Sequence, residues 1–168
     1  MDRPKRKLQR LKNYDYSTPG VYFITICAHK KQKLFGNIIS LGIANGAQMQ
    51  YSAIGELTKK CLAEIEFHYN NVVIDNWIIM PNHVHLLVQI INPTGSAGSS
   101  SKYDISNIVG KFKASVTRRA RTSLGYEEKL WQTSFHDRIV RNQNEYNKIW
   151  EYISGNASKW IDDCFYEQ

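Results

Sequence analysis

Two apolar runs, 72–80 and 83–91, meet at Pro81-Asn82, and no other stretch constrains the chain as strongly. Both are of strand length and rich in β-branched residues, and Pro-Asn suits a tight connection, so the runs are expected to pair as antiparallel neighbours. Successive strand side chains alternate faces, which puts His83 and His85 on one side of the sheet and Val84 on the other. Two imidazoles on one face form a two-nitrogen claw for a divalent metal. A His-x-His pair alone is weak evidence, since strand histidines are more often surface or hydrogen-bonded core residues.

A second constellation strengthens the reading. Ile149, Trp150 and Ile153 recur at helical steps, and Tyr152 and Asn156, spaced i, i+4, would share one face of that helix. A phenol beside an amide oxygen supplies a nucleophile and a third ligand. Two imidazole nitrogens and an amide oxygen suit Mn²⁺ or Mg²⁺ with positions open for substrate oxygens, whereas a structural zinc site would want a fourth ligand, preferably cysteine. Tyr146 is the rival nucleophile, but its i+4 neighbour is Trp150, which cannot ligate a metal. His136 stands beside Asp137 and lies on a strand edge or orients substrate; His29 and His68 have no ligand-like neighbour. Trp131, Trp150 and Trp160 are candidates for base stacking or core packing.

The rest of the chain reads as strand 21–28, a hairpin excursion within 34–49, an amphipathic helix over 52–69, a basic helix over 105–123, a strand within 130–140 and a final helix over 143–162. This order predicts an α+β fold: a ferredoxin-like, RRM-like antiparallel sheet with helices on one face, plus a C-terminal helix carrying Tyr152. Residues 1–18 read as a basic arm and 19–168 as a single domain, interrupted by a flexible Gly/Ser loop at 92–102. An RNA-binding module on such a sheet would show an RNP1 pattern, and none is present.

The 168 residues carry 22 Lys+Arg against 15 Asp+Glu, a balance that favours a polyanionic partner. The charge is clustered. Arg3, Lys5, Arg6, Lys7, Arg10 and Lys12 crowd the arm, and Lys111, Lys113, Arg118, Arg119 and Arg121 lie in a stretch without an acid. Both clusters are candidate phosphate contacts, the alternatives being a solvated tail and a solvated helix face. The cysteines, Cys27, Cys61 and Cys164, are odd in number and widely spaced, as expected of reduced thiols. No apolar run approaches the roughly 18 residues of a membrane span, and the N-terminus lacks the apolar core of a secretory signal, so a cytoplasmic location is expected.

Three separated motifs carry a family resemblance: Met80-Pro81-Asn82-His83-Val84-His85-Leu86-Leu87; Trp131-Gln132 with Phe135, Asp137 and Arg138; and Glu151-Tyr152-Ile153 followed by Asn156. From about Gly20 to Trp160 the chain resembles the single-tyrosine HUH transposases, most of all the repeat-associated tyrosine transposases of bacteria, which are related to the single-strand transposases of small insertion sequences. The resemblance implies that His83, His85 and Asn156 hold Mg²⁺ or Mn²⁺ and that Tyr152 is the nucleophile. It further implies cleavage of single-stranded DNA near hairpins through a 5′-phosphotyrosine, leaving a 3′-hydroxyl. Insertion-sequence relatives often carry glutamine at the position of Asn156, and the repeat-associated branch usually follows its asparagine with proline, where this chain has Ala157. The implied partner is single-stranded or hairpin DNA, with a homodimer left open. The alternative function is a non-catalytic single-strand or hairpin binder on the same fold.

Overall fold

The computed structural model describes residues 14–40, 46–91 and 104–162. The arm residues Arg3, Lys5, Arg6 and Lys7, the loop at 92–102, and Cys164 lie outside them. The main sheet comprises β1 (Gly20–Cys27), β4 (Val72–Met80), β5 (His83–Ile90) and β6 (His136–Val140), in the order β4-β5-β1-β6. Every pairing within it is antiparallel. The helices α1 (Ala53–Ala63) and α3 (Ile105–Leu124) complete the ferredoxin-like order of the sequence reading, with a separate hairpin of β2 (Gly36–Ser40) and β3 (Ala47–Tyr51) inserted between β1 and α1.

Local chemistry sets the helix ends. Ser52, Asp104 and Asn142 each accept a backbone N–H of the first turn of α1, α3 and α4 (Gln143–Gly155) respectively, and Gly125, at φ 62°, closes α3 in the left-handed conformation. The helix expected over 52–69 is broken: α1 stops at Ala63, Glu64 forms its cap, and a single further turn, α2 (Ile65–His68), follows. The break keeps Ile65 and Tyr69 buried and leaves Phe67 88% exposed. The strand expected within 130–140 is β6, which occupies the C-terminal half of that range. Trp131 makes only an isolated bridge to Ala28, because the carbonyls of Gln132 and Thr133 turn to the Lys113 ammonium instead of a neighbouring strand. The final helix is α-helical only to Gly155, and Ala157–Asp162 continues as 3-10 turns.

The two faces of the sheet differ in what covers them. Tyr22, Ile24 and Ile26 of β1 and Val84, Leu86 and Val88 of β5 pack with Ile108, Phe112 and Val116 of α3 and Cys61 and Leu62 of α1 in the large core. On the opposite face Leu87 meets Ile149 and Ile153 of α4 in a much smaller apolar cluster. His83 and His85 alternate with Val84 and therefore share the α4 face. Cys27 and Cys61 are buried and in the thiol form.

Candidate active site

The α4 face of β5 brings the two histidines together. Their Nε2 atoms lie 3.0 Å apart, and both residues are buried, at 0% and 1% exposure. Each ring is held from behind. The Nδ1–H of His83 donates to Asn82 Oδ1 at 2.8 Å, which fixes the tautomer and leaves Nε2 with its lone pair; His85 Nδ1 lies 2.8 Å from the Thr25 hydroxyl on the neighbouring strand. Burial, aided by the positive charge of Lys31, pushes His83 down to about 3, so its imidazole stays neutral at physiological pH.

Tyr152 comes to the histidines from α4. Its hydroxyl is 3.2 Å from His85 Nε2, and its ring stands edge-on to Phe23, with centroids 6.1 Å apart, yet the residue is 40% exposed. A hydroxyl aimed at the imidazoles from a solvent-reachable ring is open to an incoming substrate. One turn on, Asn156 is 2% exposed at the C-cap of α4, where its N–H reaches back to the Ile153 carbonyl and tightens the chain into 3-10 turns. Gly155 immediately precedes this tightening, consistent with its cost of about 1 kcal/mol inside a helix. Trp160, on those turns, packs against the His83 ring at 6.0 Å between centroids, and so serves as packing. Trp131 is buried against Phe35 and Phe112.

Two neutral imidazole nitrogens facing one another are donors of the kind a borderline divalent cation takes. Among the described residues no three His, Cys, Asp or Glu side chains converge, and Asn156 is buried one turn beyond Tyr152 at the end of α4. With Nε2–H on His85 donating to His83, the Thr25 hydroxyl donates to His85 Nδ1. Shifting that proton to Nδ1 makes the same hydroxyl an acceptor and turns both Nε2 lone pairs toward one point, which is the arrangement a cation needs. Neither the contact of Thr25 with His85 nor that of Asn82 with His83 is evident from sequence; Thr25 is the one threonine of an apolar and aromatic strand, and its role shows only in the register that pairs it with His85.

The other candidates fall elsewhere. The Tyr146 hydroxyl donates to Asp75 Oδ2 at 3.2 Å, and its ring stacks on Trp150. His136 is exposed on edge strand β6, paired with Thr25. The basic helix α3 lies on the face opposite the histidines, and its cations are not equivalent. Lys113 donates to the carbonyls of Gln132 at 2.7 Å and Thr133 at 3.2 Å, and Arg119 forms a two-pronged ion pair with Glu64 at 2.9 and 2.7 Å. Burial, together with the charge of Lys129, pushes Lys113 down, while Arg119 holds the Glu64 carboxyl below its ordinary range. Lys111 lies over the Tyr69 ring at 5.7 Å, and Lys111, Arg118 and Arg121 are exposed, the last 4.0 Å from Glu127.

The sheet carries the tyrosine helix on its histidine face, and comparison with known proteins defines the family. The family model described as "Transposase IS200 like" matches residues 45–156, and the chain belongs to that family. A protein of Haemophilus influenzae, described as uncharacterized, is 35% identical over 174 residues, covering 96% of this chain and 93% of the relative. Among solved structures, a REP-associated tyrosine transposase bound to a REP hairpin superposes with a TM-score of 0.55 at 14% identity, covering 90% of this chain and 74% of that one, a likeness of fold. Among the described residues no helix is long and apolar enough to cross a membrane.

Proposed function

We propose that this transposase cuts and rejoins single-stranded DNA beside hairpins, with Tyr152 as nucleophile and His83, His85 and Asn156 as the seat of Mg²⁺ or Mn²⁺. The observation that carries the reading is the approach of the Tyr152 hydroxyl to within 3.2 Å of an imidazole pair whose Nε2 atoms are 3.0 Å apart, all within one chain. Tyr152 and both imidazoles of this arrangement come from one chain. The phenolic oxygen attacks the scissile phosphorus and gives up its proton, the bond to the 3′-oxygen breaks, and that oxygen leaves as a hydroxyl while the 5′-phosphate stays on Tyr152. Attack by a 3′-hydroxyl on this phosphotyrosine reverses the step and joins strands, so no external energy source is needed. A phenol with an ordinary pKa of about 10 is a poor nucleophile at neutral pH, and the divalent cation, when bound, would polarise the phosphate and offset the developing charge. The partner proposed is hairpin-bearing single-stranded DNA, as in the hairpin complex of the structural relative, with Lys111, Arg118 and Arg121 as phosphate contacts.

The test is incubation of the protein with hairpin-bearing single-stranded DNA and Mn²⁺, followed by denaturing electrophoresis for a covalent protein–DNA species. The wild type forms it, and Tyr152→Phe, which deletes only the attacking oxygen, binds the hairpin but forms none. His83→Ala also stops cleavage, with partial recovery at raised Mn²⁺. Cutting by Tyr152→Phe at the wild-type rate would overturn the assignment, and tight hairpin binding without an adduct under any metal would leave a non-catalytic binder as the function.

A further inference from the structure

We infer that Asn76, carried beside a bulge of β4, is a positioning residue that holds α4 at the depth and rotation where Tyr152 meets His85; its catalytic consequence rests on the function proposed above. The edge strand β4 slips register against β5 between Ile74 and Asn76, so Asp75 is the extra residue. Bulges bend a strand and re-aim its side chains. Here both re-aimed side chains grip α4. Asp75 accepts the Tyr146 hydroxyl at 3.2 Å, and Asn76 Nδ2 donates to the Trp150 carbonyl at 3.3 Å and to Ser154 Oγ at 3.1 Å. The orientation of the Asn76 amide is itself set, because its Oδ1 accepts the Trp77 N–H at 2.8 Å.

The grip falls where it matters for Tyr152. Trp150 and Ser154 are one helical turn apart and flank Tyr152 in sequence, so a side chain bonded to both fixes the intervening turn along its axis and about it. Only three buried apolar residues hold this helix to the sheet: α4 follows β6 at one edge and packs on β4 and β5 across it, with Leu87, Ile149 and Ile153 buried and Val21, Phe23, Ile78, Val140 and Tyr146 partly buried around them. Hydrophobic contact is non-directional, whereas hydrogen bonds to a backbone carbonyl and a side-chain hydroxyl specify a register. A displacement of about 1 Å in a reacting group can cost about a hundredfold in rate, so a helix free to slide would be costly for a nucleophile delivered from it.

Asn76→Asp is nearly isosteric and keeps the acceptor for Trp77 N–H, but turns the donors facing α4 into an oxygen opposite a carbonyl. At saturating DNA, single-turnover adduct formation is expected to fall about tenfold or more, with hairpin affinity within about twofold of wild type. Ser154→Ala, which removes one of the two bonds from an exposed position, is expected to give a smaller loss of about threefold. Hydrogen exchange supplies a readout independent of activity: amides of α4 exchange faster in Asn76→Asp while those of β1 and β5 keep their protection. Failure of the wild-type protein to form an adduct would remove the proposed function and leave exchange to decide whether Asn76 anchors α4. Unchanged exchange in α4 with a wild-type rate would overturn the inference. So would a loss of rate matched by equal losses of affinity and of sheet protection, the mark of general destabilisation.

Discussion

Replacing Thr25 by valine tests whether the imidazole pair is built to hold a cation. Thr25 is 5% exposed, and its hydroxyl lies 2.8 Å from His85 Nδ1, so valine preserves shape and removes only the hydrogen-bonding group. For both Nε2 lone pairs to face a cation, His85 must carry its proton on Nδ1, and in the valine variant that N–H points at a methyl group. An unsatisfied buried donor costs about 1–3 kcal/mol. Charged wholly against the bound state, this weakens Mn²⁺ binding by up to about 150-fold at 1.4 kcal/mol per decade, less whatever the metal-free state also loses; removing groups behind ligating histidines typically costs about 10- to 100-fold. Titration of the DNA-free protein with Mn²⁺, followed by the paramagnetic signal of the free ion, measures it directly. Thr25→Ser, which keeps the hydroxyl, is expected to bind within about threefold of wild type. The valine variant also loses the donor to His85 in the metal-free state, so its melting temperature should fall by roughly 2–4 °C per kcal/mol lost. A folded Thr25→Val protein that binds Mn²⁺ as tightly as wild type would refute the tautomer argument and with it the role given to Thr25.

Two further outcomes follow from the ionisable groups. The folded-state value of His83 is about 3 against an ordinary 6.5, so between these pH values the unfolded chain binds the extra proton. Stability is therefore full above about pH 6.5 and is lost as pH falls toward 3; thermal melts from pH 7 to 4 should show a steeper decline in wild type than in His83→Gln, and parallel declines would contradict it. Glu64, lowered by Arg119, loses stability in the same direction within the carboxylate range, but equally in both proteins. On α3, neutralising Arg118 and Arg121 should weaken single-strand binding and flatten its salt dependence by about 0.7 per lost contact. Arg119→Ala should leave that slope unchanged and cost at most about 1 kcal/mol, because its pair with Glu64 is more than a third open to solvent on the carboxylate side and is screened; a slope unchanged in the Arg118 and Arg121 variant would make that helix face a solvated surface.

The parts of the site that were legible in the sequence depend on local geometry. Strand alternation alone puts His83 and His85 on one face, and helical periodicity alone puts Tyr152 and Asn156 one turn apart. What was not legible depends on partners distant along the chain. Arg119 and Glu64 are 55 positions apart, and nothing near Arg119 shows that its charge is already matched; Lys113 reads as a free cation until the chain returns with Gln132 and Thr133. Thr25 acquires its meaning from the β1–β5 register, and Asp75-Asn76 looks like a polar interruption of an apolar run until the bulge turns both side chains to α4. The placement of the site follows from topology. Crossovers through α1 and α3 both cover the Val84 face, burying most of the apolar residues there, so the histidine face is left for the element that follows the last strand. That element is α4, and because its buried apolar contact with the sheet is confined to Leu87, Ile149 and Ile153, its polar side chains reach β4 and β5, where Tyr152 both touches His85 and stays exposed to solvent.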